Sequence, residues 1–168
     1  MPVQRLNHAV LYVRDLDRSV AFYTEALGFR QVAGMPGQAA FLQAEDSSND
    51  HDLGLFAIGA DAASSAAGRG SVGLYHLAWE VDTLAELARI ADVLTGRGSL
   101  VGASDHGSTK ALYAQDPDGL EFEVSWLVPA DRLGSDTEMR VDRLDLPAEI
   151  ERYGAQTRGG VGVSVPVA

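Results

Sequence analysis

Apolar and polar residues alternate along the first part of the chain, over Val3–Val13. The alternation predicts a β-strand, because successive side chains of a strand point to opposite faces. In this pattern His8 points the same way as Leu6 and Val10. A histidine therefore occupies an otherwise apolar face, which marks it as a candidate functional residue.

A helical pattern follows this strand directly. From Leu16 to Leu27 the apolar residues recur at spacings of four and three, which is the period of one helix face. Asp15 or Asp17 is the predicted N-cap, and Gly28 is predicted to end the helix.

The same succession of strand and helix recurs later, in "LYHLAWEVDTLAELARIADVLTGRG". A strand is predicted over Leu74–Val81 and a helix after Asp82 or Thr83, with Gly96 as its stop. At an offset of 68 residues the two stretches align without a gap. The aligned pairs are His8 with His76, Val13 with Val81, Leu16 with Leu84 and Gly28 with Gly96. Such a self-match at a fixed offset is typical of a duplicated supersecondary unit.

Further strands are predicted after each helix. They cover Gln38–Ala44 and Asp52–Gly59 in the first module, and Ala111–Gln115 and Leu120–Val128 in the second. The turn sequence "DPDG" joins the last two strands as a hairpin. Each module therefore has a strand, a helix and several more strands, and the predicted fold class is α+β.

Two modules and a C-terminal arm are the predicted domain organisation. Residues 1–60 form the first module, residues 61–71 a linker of small and polar residues, and residues 72–128 the second module. Residues 129–168 are predicted to be a peripheral arm with one short helix near Ala148–Tyr153. The end of this arm is expected to fray or to pair with a sheet edge.

Charge and composition narrow the possible chemistry. The net charge is -11 and no cluster of Lys and Arg offsets it, so neither nucleic acid nor a membrane is expected as a partner. The chain has no cysteine, so a bound metal would have to be held by histidine and carboxylate. The chain shows neither a secretory signal nor a run of about 18 apolar residues, and the predicted location is the cytoplasm.

Two histidines and one carboxylate form a candidate metal site. His8 and His76 occupy equivalent strands of the duplicated modules, and Glu121 and Glu123 share one face of the last strand. A set of two histidines and one carboxylate is the facial arrangement of non-haem Fe(II), which keeps other coordination positions open. Each histidine alone is more often a core residue, but their equivalence favours a metal site. The residues by themselves leave open which glutamate faces inward.

Over residues 5–128 the chain resembles the vicinal oxygen chelate superfamily of glyoxalases, bleomycin resistance proteins and extradiol dioxygenases. The resemblance is carried by "LNHAVLYVRDLDRSVAFYTEALGF", "NDHDLGLFAIG", "YHLAWEVDTLAEL" and "SDHGSTKALYAQDPDGLEFEVSW". The last two segments resemble catechol 2,3-dioxygenases in particular. The resemblance implies two paired βαβββ modules that form a curved mixed sheet around a metal. It also implies His8, His76 and Glu123 as ligands of Fe(II), with Mn(II), Zn(II) and Ni(II) as alternatives.

Further roles are implied by the same resemblance. Tyr113 matches a tyrosine that hydrogen-bonds the metal-bound substrate oxygen, and His106 looks like a histidine that transfers protons. His51 is interpreted as a loop residue, although its neighbourhood is similar to the dioxygenase pattern. Members with four ligands, such as glyoxalase I, take the extra one from the last strand of the first module. At the offset of 68 residues that position is Leu55, which cannot bind a metal, and Asp52 is the nearest carboxylate.

The resulting hypothesis is an Fe(II)-dependent extradiol dioxygenase that cleaves the ring of a catechol-type aromatic diol with dioxygen. A glyoxalase-like lyase or isomerase, which would use Zn(II), Ni(II) or Mn(II) and need no oxygen, is one alternative. A metal-free binding protein for a small molecule such as a drug is another, and it would tolerate loss of the three ligands. Exposed sheet edges on paired modules predict a homodimer.

Overall fold

The computed structural model describes residues 2–3, 5–68, 70–134 and 138–160. The chain divides into two compact units. The first comprises Met1–Ser65 together with Asp116–Gly119, and the second comprises Ala66–Gln115 together with Leu120–Ala168. The last eight residues, for which the sequence suggests fraying or edge pairing, lie outside the described residues.

The first unit contains one helix and a four-stranded mixed sheet. Its elements are β1 (Ala9–Val13), α1 (Leu16–Leu27), β2 (Arg30–Met35), β3 (Ala39–Gln43) and β4 (Leu53–Ala57). The strand order is β1-β4-β3-β2, in which β1 is parallel to β4 and the other pairs are antiparallel. The order of elements along the chain is therefore βαβββ, as the family resemblance implies, and β2 is a strand that the sequence pattern did not predict.

Helix α1 begins and ends where its sequence signals lie. The side chain of Asp15 accepts a hydrogen bond from the amide of Arg18, so Asp15 rather than Asp17 is the N-cap. Gly28 ends the helix in the left-handed conformation at φ 75°, which a residue with a Cβ adopts only with strain.

The turn Asp116–Gly119 belongs to the first unit through two buried or half-buried contacts. The hydroxyl of Tyr23 donates to Asp116 at 3.1 Å, and the guanidinium of Arg14 donates to Asp118 at 2.9 Å. Burial, and after it the negative charge of Asp116, raises the pKa of Tyr23 well above its usual value. The Tyr23 hydroxyl therefore keeps its proton and holds the turn as a donor.

The second unit repeats the βαβββ order and extends it. Its elements are β5 (Leu77–Glu80), α2 (Leu84–Gly96), β6 (Leu100–Asp105), β7 (Thr109–Gln115), β8 (Glu121–Leu127), a single 3-10 turn (Ala130–Arg132), β9 (Asp142–Arg143) and α3 (Leu146–Tyr153). The strand order is β5-β8-β7-β6-β9, with β5 parallel to β8. The first four strands of this order match those of the first unit, and the predicted α+β class is confirmed.

Both candidate histidines lie just outside the strands that they were predicted to occupy. β1 begins at Ala9 and β5 at Leu77, so His8 and His76 each precede the first strand residue by one position. The reason is pairing: β1 and β5 are edge strands, and their ladders with β4 and β8 begin at Ala9 and Leu77. The two histidines nevertheless remain equivalent, because both strands are shortened in the same way.

Helix α2 has a different C-terminal cap from helix α1. Its N-cap is Thr83 rather than Asp82, since the Thr83 side chain accepts a hydrogen bond from a first-turn amide. The helix ends at Gly96, as predicted, and Arg97 forms the cap in a right-handed conformation. The left-handed residue that turns the chain is Gly98, at φ 67°.

The C-terminal arm is packed on the second unit and is not peripheral. β9 pairs with β6, and the short helix predicted near the arm's middle is α3, which packs on α2. Tyr153 at the end of α3 is buried, with its ring centroid 5.4 Å from that of Trp126. Within the described part of the chain, no helix combines the length and the apolar character needed to cross a membrane.

Candidate metal and proton-transfer site

His76 and Glu123 meet on neighbouring strands of the second sheet. Glu123 pairs with Ala78 across β5 and β8, and His76 lies two residues before Ala78, so both side chains are on the same face. Nε2 of His76 is 3.2 Å from Oε2 of Glu123. The sequence left the choice between two glutamates open, and Glu123 is the one in contact with a histidine.

The spacing of these two atoms fits a shared metal ion. Two ligands that each lie about 2.1 Å from one metal, at a right angle, are about 3 Å apart. Imidazole nitrogen and carboxylate oxygen are donors that the first-row divalent metals accept. Nδ1 of His76 is buried and has no hydrogen-bond partner among the described residues, so the polar contact that the structure gives this imidazole is the one from Nε2 to Glu123. The pair fits two of the three predicted ligand positions.

Tyr113 lies directly opposite Glu123 in the β7–β8 ladder. A cross-strand pair shares one face of the sheet, so the phenol lies beside the carboxylate. Burial, and after it the charge of Glu123, raises the pKa of Tyr113 above its usual value. The hydroxyl is therefore a neutral donor next to the predicted ligands.

His106 completes this cluster from the turn between β6 and β7. Its Nε2 lies 2.8 Å from the hydroxyl oxygen of Tyr113, and its Nδ1 lies 2.9 Å from the backbone carbonyl oxygen of Arg140. Four of the five residues predicted for the site, His76, Glu123, Tyr113 and His106, thus form one continuous polar cluster in the second unit.

His8, the fifth predicted residue, lies in the first unit. Its Nδ1 is 2.8 Å from Oδ1 of Asn7, an interaction that orients the ring and places the lone pair of the neutral imidazole on Nε2. Across the described ranges, no group of three or more histidine, aspartate or glutamate side chains is close enough to hold a metal ion. The three-ligand set therefore stays a prediction.

His51 is a loop residue, as interpreted from the sequence, but it packs on His8. The two ring centroids are 4.5 Å apart, and the edge of Phe41 packs on His51 with a centroid distance of 5.0 Å. Nδ1 of His51 is 3.2 Å from the carboxylate of Asp50. The sequence signal for this position was the segment "NDHDLGLFAIG".

The position equivalent to Glu123 in the first unit is Gly54, so the assignment to Leu55 was wrong by one residue. Ala78 pairs with Glu123, whereas Val10, its equivalent at the offset of 68, pairs with Gly54. The connections between helix and last strand differ by one residue in length, which shifts the register. Gly54 has no side chain, so this position supplies no fourth ligand.

Asp52, the nearest carboxylate, is engaged in holding its own loop. It accepts hydrogen bonds from the amide of Ala44 at 2.9 Å, from the hydroxyl of Ser47 at 2.7 Å and from the side-chain amide of Asn49 at 2.7 Å. These contacts account for the aspartate structurally, and it does not replace the missing ligand.

A buried charge cluster lies beside His106, and the sequence analysis missed it. Nζ of Lys110, which is fully buried, is 2.5 Å from Oδ1 of Asp105 and 3.0 Å from Oε2 of Glu149. Arg140 also forms an ion pair with Asp105. Burial by itself raises the pKa of Asp105, but hydrogen bonds from Arg140, Lys110 and a backbone amide outweigh it and lower the pKa to about 2.

The repeated βαβββ unit, with a histidine before its first strand and a carboxylate on the last strand of the second copy, is the architecture expected of a vicinal oxygen chelate protein. A profile of the Glyoxalase/Bleomycin resistance protein/Dioxygenase superfamily matches residues 5–124. The chain therefore belongs to this superfamily. Its members include dioxygenases and other enzymes and typically bind divalent metals.

Individual relatives carry different activities in their names. The chain is 27% identical over 157 residues to the catechol-2,3-dioxygenase of Bacillus subtilis, covering 91% of this chain and 53% of that protein. It is 31% identical over 150 residues to a probable chloroplastic lactoylglutathione lyase of Arabidopsis thaliana, covering 84% of this chain and 41% of that protein. The chain thus spans about half or less of these curated relatives.

The chain is also similar to a solved structure of a lyase. The lactoylglutathione lyase from Agrobacterium tumefaciens superimposes with a TM-score of 0.54 at 27% identity, over 74% of this chain and 95% of that one. Fold and superfamily are shared with both lyases and dioxygenases, so the reaction has to be inferred from the site residues.

Proposed function

We propose that the chain is an extradiol dioxygenase that cleaves a catechol-type aromatic diol with dioxygen, using Fe(II) held by His8, His76 and Glu123. The observation that carries the proposal is the run of contacts from Glu123 through Tyr113 to His106. It supplies a neutral hydroxyl donor and a ring nitrogen beside the predicted ligands. A diol that binds a metal through both oxygens loses at least one proton, and the lone pair on Nε2 of His106 is suited to receive it through the Tyr113 hydroxyl.

Each polar side chain of the cluster has a defined part in this reaction. The Fe(II), when bound, would make the diol more acidic and carry electron density between the ring and dioxygen. Tyr113 orients a substrate oxygen by hydrogen bonding, and Nε2 of His106 is the acceptor at the far side of that hydroxyl. His106 holds the proton during ring cleavage and returns it to the product.

The lyase or isomerase remains the second candidate, because two relatives are named lactoylglutathione lyases. Its weakness is the ligand set. A fourth ligand is expected on the last strand of the first unit, and Gly54 occupies that place. The structural equivalence of Gly54 and Glu123 therefore favours the three-ligand dioxygenase.

Oxygen consumption tests the proposal directly. The full chain would be stripped of metal, reloaded with Fe(II) under anaerobic conditions and supplied with a panel of catechols. We expect oxygen uptake with a yellow ring-cleavage product in the wild type and in Glu121→Gln, and none in Glu123→Gln. Iron binding without oxygen uptake across the panel would contradict ring cleavage. Formation of a lactoylglutathione thioester without oxygen would instead support the lyase, and failure to bind metal would favour a metal-free binding protein.

A further inference from the structure

The hydroxyl of Tyr113 has one proton and two possible acceptors. Nε2 of His106 lies 2.8 Å away, and Glu123, the cross-strand partner of Tyr113, is close enough for its charge to raise the pKa of the phenol. Only one of them receives the proton at a time. The direction of the Tyr113 proton therefore depends on whether Nε2 of His106 carries a proton of its own.

The backbone carbonyl of Arg140 decides which nitrogen of His106 is protonated. A carbonyl oxygen only accepts hydrogen bonds, and it lies 2.9 Å from Nδ1 of His106. Nδ1 must therefore be the protonated nitrogen of the neutral ring. Nε2 is left with a lone pair that faces the Tyr113 hydroxyl.

We propose that the C-terminal arm, through the carbonyl of Arg140, holds neutral His106 as its Nδ1–H tautomer and so directs the hydroxyl proton of Tyr113 toward His106. The oxygens of Glu123 are then left for His76 and a metal. Arg140 is in this account a positioning residue, because it acts through His106. The catalytic consequence rests on the proposed dioxygenase function, whereas the tautomer does not.

The same charge cluster holds the carbonyl of Arg140 and the imidazole of His106 in place. Asp105, the residue before His106, forms an ion pair with the guanidinium of Arg140 and another with the buried Nζ of Lys110. Lys110 also contacts Glu149 of α3 at 3.0 Å. The arm is therefore attached to the β6–β7 hairpin immediately beside the histidine, which fixes the distance between carbonyl and ring.

The β9 strand strengthens this attachment from the other side of Arg140. Asp142 pairs with Asp105 and Arg143 with Ser104 in the antiparallel ladder of β9 and β6. Nε of Arg140 is in addition 3.2 Å from the carboxylate of Asp142. Arg143 has an exposed side chain on the same short strand, so it offers a matched control for loss of one positive charge from the arm.

Nitrogen-15 NMR of histidine side chains measures the tautomer without any reaction. The full chain, labelled in its histidines and free of metal, would be examined at about pH 8, where an ordinary histidine is neutral. His106→Gln identifies the signals of His106 by their loss. We expect a proton-bearing Nδ1 and a bare Nε2 at His106 in the wild type and in Arg143→Met. In Arg140→Met we expect both tautomers, because the side chain that fixes the carbonyl is gone.

Two results would overturn the proposal. One is a wild-type His106 protonated on Nε2, which decides the matter even if Arg140→Met does not fold. The other is a folded Arg140→Met that keeps the single Nδ1–H form. If the dioxygenase is active, Arg140→Met should also lower kcat by about tenfold or more with little change in KM, as expected for loss of an outer support. An inactive wild type with the expected tautomer would reject the dioxygenase and leave the tautomer assignment intact.

Discussion

Nε2 of His76 lies 3.2 Å from Oε2 of Glu123, across the parallel strands β5 and β8. Glu121 lies on the same face of β8 but before the start of the β5–β8 ladder, and its partner on β7 is Gln115. Two carboxylates with the same sequence pattern therefore have different neighbours. This difference makes them a matched pair for testing where a metal binds.

Loss of Glu123 should weaken metal binding far more than loss of Glu121. We expect Glu123→Gln to reduce the affinity for Fe(II) or Zn(II) by more than about 100-fold, because removing a ligand should exceed the 10–100-fold effect of removing a group that only orients one. Glu121→Gln should change the affinity little. Competition with a coloured chelator measures both, and equal losses in the two variants would refute the assignment.

Tyr113 and His106 should act as one unit in turnover. Tyr113→Phe removes the hydroxyl that lies 2.8 Å from His106, and we expect it to lower kcat by about 100-fold. His106→Gln should cost a similar factor, and the double variant should lose little more than either single one. Steady-state oxygen uptake gives the three values. Losses that multiply would show that the two side chains act independently.

The stability of the second unit should depend on Asp105 at low pH. Its pKa is lowered to about 2 from an ordinary value near 3.8, so its carboxylate stabilises the fold fully above about pH 4. This contribution, about 2 kcal/mol, is lost as the pH falls from about 4 toward 2. Asp105→Asn should lower the free energy of unfolding at pH 7 by at least that amount and flatten the acid slope.

Urea denaturation across this pH range tests the role of Asp105, with Asp142→Asn as the control. Asp142 is exposed and lies on β9 next to the same arginine. A salt bridge at such a site contributes little to stability. If both variants showed the same acid slope as the wild type, the buried cluster would not be the source of the pH dependence.

Two glycines should respond in opposite ways to replacement by alanine. A Cβ on Gly159 would lie 2.1 Å from the carbonyl oxygen of Leu127 and 2.7 Å from Nε1 of Trp126, so we expect Gly159→Ala to destabilise the fold by about 1–3 kcal/mol. Gly96, the last residue of α2, has open space around its Cα. Gly96→Ala should stabilise by about 0.5–1 kcal/mol, through helix propensity. Thermal unfolding compares the two variants. An unchanged stability in Gly159→Ala would mean that Gly159 does not pack closely against Leu127 and Trp126.

Part of the fold could be predicted from local sequence patterns, namely helix caps and the internal repeat. The caps at Asp15 and Gly28 and the repeat at a fixed offset suffice for the strand and helix that open each unit, whereas the full βαβββ order was implied by the family resemblance. Tyr113 and Glu123, ten residues apart around the turn, were separable from their neighbours only through the family resemblance, and the β7–β8 ladder pairs them directly. Local periodicity predicts the sheet face on which a residue lies, but not the residue that it pairs with on the neighbouring strand.

The features that escaped prediction depend on contacts between distant parts of the chain. β2 exposes all its residues and so lacks an apolar alternation. Lys110 is fully buried in a strand because Asp105 and Glu149, the latter 39 residues further on, balance its charge. A single sequence gives no sign of such pairing. The register of Gly54 escaped for a related reason, since one residue of loop length shifts the whole strand. The homodimer stays a prediction.

Gly54 also marks a chemical difference between the two copies of the duplicated unit. Its neighbour across the β3–β4 ladder is Phe41, so the polar pair Glu123 and Tyr113 of one copy corresponds to a glycine and a phenylalanine in the other. The two copies of the unit are therefore chemically unequal at matched positions. Only the second copy can supply a proton donor or a charged acceptor from this cross-strand pair.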